Sequence, residues 1–584
     1  MKRLSLLAVL LVCFMLSCHE AEFLDNTQTT DLNEQTVFAD STYATQFFFG
    51  LYENIGFDSD PGRFNDGAIF PTRTGGLDGA SDEAEPRKIS SITTDIQFAT
   101  GTVNPVIVTS DAWEICYRNI RKANLFLKNL DRTPFNPELK GQYAAETRFL
   151  RAWYYAILLK HYGGIPLVGD TVYTTEDKIP ATRNTYAECV QYIVSECDAA
   201  AEVLQIRPTS RDYGRIGSGA CKALKSRVLL YAASPLFNGS QFAGGEPLNS
   251  ILGYPDHDPQ RWKVAADAAE AVIALSAYRM HINNSPKLGE GFYEEFVAKD
   301  FQAFNATEGL ILERVAGDTK YEEELWQPPS RGGGRGGAYP YQELVDAFGM
   351  ANGKPITDPT SGYDPANPYA NRDPRLYNTI NHDQSLMPIT LFGDPVPIDI
   401  FIGKYQGKTA GQDAVHAGTP TGYYVNKMLQ RSVLASSFVE GPGARPLIRY
   451  AEILLNYAEA LNEYEGPSSN VYLAVNSVRE RAGLSPYELP AGLTKEQMRE
   501  IIRNERRVEL AFEGHRFFDV RRWMIAEETE NKTMTGMEVI RDNESVEYKP
   551  FSVRKHNFRK AMYFWPIPQT EVAKSPELLQ NPYY

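Results

Sequence analysis

Several stretches of this chain hold residue types that could do chemistry at the spacing they show. The run Arg331-Gly-Gly-Gly-Arg-Gly-Gly337 could wrap a phosphate, but it lacks the Gly-Lys-Ser/Thr ending that completes such a loop, so it reads as a mobile loop. Asp58-Ser-Asp60-Pro-Gly62 opens like a calcium loop. Gly62 at the fifth position and Arg63 where glycine is needed make it a turn instead. No His-Glu-x-x-His or Gly-x-Ser-x-Gly signature occurs, and the histidines are scattered. Cys116, Cys189, Cys197 and Cys221 form no Cys-x-x-Cys pair, so no zinc or thioredoxin-like site follows, and each sits in a helical pattern as a small hydrophobe. Paired carboxylates for glycoside hydrolysis are known by a separation of about 5 to 9 Å in space, which abundance of Asp and Glu cannot supply. The densest charge lies in Arg503 to Trp523. There Ile501, Val508 and Phe512 share one helical face, Arg506 and Glu509 are spaced to pair, and Gly514 is placed to end the helix. The pattern favours an ion-pair network between helices over catalysis.

These residues need elements to hold them. Apolar periodicity predicts helices near 37 to 55, 109 to 130, 138 to 161, 184 to 205, 217 to 232, 261 to 276, 446 to 464, 469 to 482 and 494 to 512. Ser110-Asp111, and Thr494 followed by Gln497, supply start signals. Three of the helices share a Tyr-Ala ending, at Tyr155-Ala156, Tyr231-Ala232 and Tyr457-Ala458. A large ring beside a small residue lets neighbouring helices approach closely, as in stacked helix-pair repeats. The predicted fold is mainly α, with tetratricopeptide-like helix pairs as scaffold. Two regions break the period. Residues 56 to 104 and 280 to 440 are loop-rich, with short β runs at Gly309 to Val315 and Tyr423 to Met428 that could pair within the second region. Long irregular segments mounted on a rigid scaffold are the natural place for a binding face.

The N-terminus carries an address. Lys2 and Arg3 precede an apolar stretch from Leu4 to Leu16, too short to span a bilayer, and then Ser17 and Cys18. Residues 1–17 thus read as a lipoprotein signal, Cys18 as the lipidated residue, and 18–36 as a polar tether. A net charge of -15 excludes a general nucleic-acid binder, which needs cations to meet phosphates. The aromatic share of 12% suits tight helix packing or ligand platforms.

The stretch Arg503 to Trp523, with Tyr563-Phe-Trp-Pro-Ile-Pro-Gln569 and the ending Glu577-Leu-Leu-Gln-Asn-Pro-Tyr-Tyr584, resembles the SusD/RagB family of Bacteroidetes outer-membrane lipoproteins. The likeness continues through Arg449 to Leu461, Leu344 to Phe348 before Asn352-Gly353, Ala145 to Trp153, and Tyr162 to Leu167. It implies one SusD-like domain over 37–584, with scaffold mainly at 37–55, 109–280 and 440–525. It also implies a non-enzymatic protein without cofactor or metal, lipid-anchored at the outer membrane and facing outward. Such a protein would capture oligosaccharide and pass it to a SusC-like TonB-dependent transporter. A RagB-like peptide carrier and a surface glycoside hydrolase remain alternatives. Carried onto the two loop regions, the resemblance implies Trp326 as stacking platform with Tyr321 and Tyr339 near it. Asp78, Asp82, Arg87 and Asn104 would be hydrogen-bonding partners, since sugar hydroxyls need such groups while ring C–H faces need aromatics.

Overall fold

A computed structural model describes residues 33–64, 74–87, 92–179, 181–208, 212–297, 306–316, 326–334, 336–390, 393–429 and 443–584. Its frame is an array of helices: α1 (Asp111–Asn129), α2 (Pro137–Tyr162), α3 (Tyr186–Ala201), α4 (Ser218–Ala233), α5 (Gln260–Ile273), α6 (Tyr450–Glu465), α7 (Ser469–Arg481), α8 (Lys495–Glu509) and the short α9 (Arg516–Arg522). Each of α1 to α5 packs on the next, and α5 then packs on α6, so the array continues across the long insertion that separates them in sequence. The starts follow local chemistry. Asn136 accepts the Leu139 N–H at 2.8 Å with Pro137 in the first turn of α2. Thr185 with Glu188, and Thr494 with Gln497, close reciprocal capping boxes on α3 and α8. Ser110 precedes α1 as predicted, but its hydroxyl donates to Glu114 at 2.5 Å and caps no N–H. Tyr155, Tyr231 and Tyr457 are all buried in the principal core, as the Tyr-Ala pattern requires of packing residues. All four cysteines of α1, α3 and α4 are buried and free.

Its strands, most of them short, include β1 (Ala84–Glu85), β2 (Leu310–Ala316), β3 (Tyr339–Pro340), β4 (Ile402–Tyr405), β5 (Lys408–Ala410), β6 (Gly443–Arg449) and the longer β7 (Thr533–Asp542) and β8 (Ser545–Lys555). β7 and β8 form a hairpin that β4 joins in parallel and β5 extends. That hairpin, turned at Asn543 with φ 54°, was not predicted. Three other expectations need correction. Residues 446 to 449 complete β6 rather than starting the next helix, and β2 finds its partner in β6, just outside the 280 to 440 region. Tyr424–Val425 pairs within that region, with Ile380–Asn381, as expected. α8 stops at Glu509, short of both Phe512 and Gly514, which take left-handed φ of 61° and 75° in the turn that follows.

Arg506 and Glu509 do not pair with each other, because the neighbouring helices offer better-placed partners. Glu509 accepts from Arg449 at 2.8 Å, from Arg375 at 3.1 Å and from Arg481. Arg506 donates to Asn456 at 2.7 Å and to Asp519 at 3.2 Å. Burial alone would raise the Glu509 pKa, but Arg481, Arg449 and Arg375 outweigh it and bring the group down to about 2. The densest charge in the sequence is thus a structural knot joining α6 to α9 with the insertion. Among the described residues no helix is long and apolar enough to cross a membrane.

Candidate ligand-binding site

The two loop-rich regions meet where β1 pairs with β3, with Ala84 opposite Pro340 and Glu85 opposite Tyr339. The pairing extends one residue further through Tyr341, whose N–H donates to the Glu83 carbonyl at 2.9 Å. The Glu85 carboxylate fastens this seam, accepting the Tyr341 hydroxyl at 2.5 Å and the Arg554 Nε of β8 at 2.8 Å. Sequence reasoning missed Glu85, Tyr341 and Arg554, since no local pattern links residues so far apart.

Aromatic rings collect on one side of the seam. Tyr339 meets Tyr424 edge to face with centroids 5.8 Å apart, and Trp326 meets Phe512 at 6.2 Å. Above them runs the glycine-rich segment, expected to be mobile, which is anchored at its start. Arg331 is buried and donates to the carbonyls of Val396 at 3.0 Å and Pro397 at 2.8 Å, while the Ser330 N–H donates to Asp413 at 2.8 Å. Glycine is needed where this segment crosses the rings. A Cβ on Gly337 would sit 2.7 Å from the Trp326 indole, and one on Gly336 would sit 2.6 Å from the Tyr339 ring. Glycine backbone therefore packs against the Trp326 indole and the hydroxyl end of Tyr339, which are 2% and 5% exposed. The Trp326 indole N–H is buried without a hydrogen-bond partner among the described residues. Burial raises the Tyr339 phenol, an effect that nearby Arg87 partly offsets. Arg87 is half-buried at the edge of the seam, its N–H donating to Thr74 at 2.9 Å.

The structure thus gathers Trp326, Tyr339 and Arg87, and adds Tyr424, which the sequence offered only as part of a β run. It does not gather the rest. Asp78 and Asp82, expected to meet ligand, are 3% and 0% exposed and are held by protein. Asp82 receives Arg516 at 2.7 and 2.8 Å and Arg507 at 3.0 Å, and these cations outweigh burial to hold its pKa below the usual carboxylate range. Asp78 accepts the Gly514 N–H at 3.0 Å, and burial, only partly offset by Arg445, pushes it up to about 6. Asn104 makes its own turn, accepting from Val106 at 3.0 Å and donating to the Thr102 carbonyl at 3.2 Å. That turn sits by the C-terminal segment, where Arg559 holds the Gly101 and Val103 carbonyls, and not at the seam. Tyr321 and Cys18 lie outside the described residues. Asp58, at the head of the calcium-like run, instead accepts from Lys160 at 2.6 Å. Among the described residues no group of three or more His, Cys, Asp or Glu is arranged to hold a metal ion.

A family model described as "SusD family" matches residues 308–584, and one described as "Starch-binding associating with outer membrane" matches residues 75–230. The chain belongs to the SusD/RagB family. SusD-like protein P2 of Formosa agariphila is 34% identical over 139 residues, which is 23% of this chain and 24% of that relative, so the match spans about a quarter of its length. SusD-like protein P25 of the same organism is 22% identical over 594 aligned residues, covering 98% of this chain and 97% of P25. The crystal structure of a SusD-like protein from Bacteroides fragilis superposes with a TM-score of 0.74 at 26% identity, covering 94% of this chain and 98% of the other. The overall fold is therefore shared with that SusD-like chain over nearly its whole length. The seam is built from both matched parts, since β1 lies in one and β3 in the other.

Proposed function

We propose that this protein captures oligosaccharide at the cell surface, without turning it over, and delivers it to a SusC-like TonB-dependent transporter in the outer membrane. The observation that carries the reading is the seam, where one β pairing brings the Trp326 and Tyr339 rings together with the Arg87 side chain. Aromatic faces accept the C–H side of a pyranose and a guanidinium serves its hydroxyls, which is the chemistry a neutral glycan asks for. The family description "Starch-binding associating with outer membrane" favours the same ligand class and the same location. Sugar would take the place of the glycine backbone on the rings, so binding starts with Gly336 and Gly337 lifting. Asp82 and Glu85 are each engaged by arginine, whereas burial raises Glu83 and Asp78, so product formation and not the carboxylates separates binding from hydrolysis. Attachment would come from lipid on Cys18, for which the Leu4 to Leu16 stretch and Ser17 are the sequence support.

Calorimetric titration of the purified protein with plant, host and microbial glycans, and with mixed peptides, tests this. Heat with one glycan class and no product formation is the expected outcome. Heat with peptides alone would replace glycan capture by RagB-like peptide capture, and released product would make the protein a hydrolase. No binding of any glycan, either alone or with the transporter present, would end the proposal.

A further inference from the structure

On the helical side, remote in sequence from both loop regions, lies a cavity of about 360 Å³ between α5, α6, α8 and the end of α9. The pocket opens to solvent on the Glu500 side, and its volume falls in the range of small-ligand pockets of about 300 to 1,000 Å³. Its walls are of two kinds. Trp262 of α5 and Trp523 after α9 line it while remaining 8% and 4% exposed. Facing them are charges that are already paired. Arg499 donates to Glu463 at 2.6 Å, Arg503 meets Glu500 at 3.1 Å, and the Trp523 indole N–H donates to Glu459 at 2.7 Å. The Arg503 guanidinium also lies over the Trp523 ring, 5.1 Å from its centroid, so the aromatic wall and the charged wall hold each other in place.

This pairing decides what fits. A phosphate or carboxylate would meet Glu463 and Glu500, and a free cation would meet Arg499 and Arg503, so a charged ligand breaks an existing pair for each one it makes. A neutral ring with apolar C–H edges and several hydroxyls breaks none, because carboxylate lone pairs and guanidinium N–H groups left over from each pair can serve the hydroxyls. We infer that this cavity is a second binding subsite, for a single neutral pyranoside ring, independent of the seam between β1 and β3. Glu500, whose side chain is 70% exposed, stands at its rim and is the residue an entering sugar meets first.

The test labels the protein with 5-fluorotryptophan, giving one ¹⁹F signal for each of the 6 Trp residues, and titrates it with methyl glucoside, galactoside and mannoside. The expected result is a saturable shift of the Trp262 and Trp523 signals with at least one pyranoside. Glu500→Ala, an exposed change that leaves the fold intact, should weaken that response about tenfold, the equivalent of one charged hydrogen bond. Arg499→Ala should act in the same direction. No saturable shift of either signal with any of the three sugars overturns the inference, as does a shift that both variants leave unaltered. A shift confined to Trp326 would support the seam as the glycan site and equally remove this cavity.

Discussion

Around Glu509 each charge is answered by an opposite charge at hydrogen-bond distance, whereas around Trp326 glycine backbone rests on aromatic ring and a buried indole N–H goes unanswered among the described residues. Both regions are buried, and both sit beside the turn that follows α8. The difference lies in what each would lose by opening. The knot would strand several guanidinium groups in the protein interior. The seam would lose mainly dispersion contacts, which a sugar's C–H face can replace nearly one for one. Rigidity is thus placed on the helical side and exchangeability on the loop side, which suits the proposed capture and release.

The contrast is broken most severely by Glu509→Gln. Removing one partner of a buried ionic cluster costs about 3 to 5 kcal/mol, since Arg375, Arg449 and Arg481 all keep their charge. Scanning calorimetry should show a large fall in Tm, while glycan affinity in the folded fraction stays unchanged. A fall of less than about 1 kcal/mol would mean the arginines reach water and the knot is no tighter than a surface pair.

The pH dependence separates the two regions by sign. Glu509 drops from an ordinary 4.5 to about 2, so its contribution is full above about pH 4.5 and is lost as the pH falls toward 2. Asp78, beneath the seam, rises from 3.8 to about 6, so its contribution is full below 3.8 and is lost as the pH rises through 6. Asp78→Asn should therefore flatten the decline in Tm between about pH 4 and 6 while leaving the acid limb in place. Loss of the acid limb in that variant would show that the two sites titrate as one network.

A milder change sharpens the comparison from the other side. Gly337→Val puts a Cβ 2.7 Å from the Trp326 indole, so the segment must lift. If the segment competes with sugar for the ring, removing that competition should tighten glycan binding by about 1 kcal/mol, with faster amide exchange over 332–334 and little change in Tm. Weaker binding with unchanged exchange would show that the glycine backbone is part of the platform and not its cover.

The helical frame could be read from the sequence because its signals are local. A 3.6-residue period, the Thr494 with Gln497 spacing and the Tyr-Ala endings all act within a few turns. The strand errors have a common cause in partners chosen across long separations. Leu447 and Ile448 are apolar enough to extend the α6 pattern backwards, yet Ile448 pairs with Leu312 of β2 and Leu447 is the bulge beside it. Asp82 misled for the same reason. An aspartate in a Gly- and Ser-rich loop looks solvated, but its partner Arg516 lies 434 residues downstream. Trp326 lies beside the seam, but its cover was hidden in the sequence, because nothing local says that Gly337 folds back onto the ring.

Asn104 offers the smallest and most discriminating test, because it belongs to neither region as the structure draws them. Its side chain closes a turn through Val106 and Thr102, so Asn104→Ala should cost about 0.5 to 1 kcal/mol, the worth of an ordinary hydrogen bond. The turn is anchored to Arg559 in the C-terminal segment, whereas Arg87, Tyr339 and Trp326 are joined through β1 and β3. Glycan affinity measured by calorimetry should therefore remain within twofold of the parent protein. A tenfold loss with unchanged Tm would extend the site from the seam to the turn at Asn104, and would make the glycan contact surface larger than the aromatic platform alone.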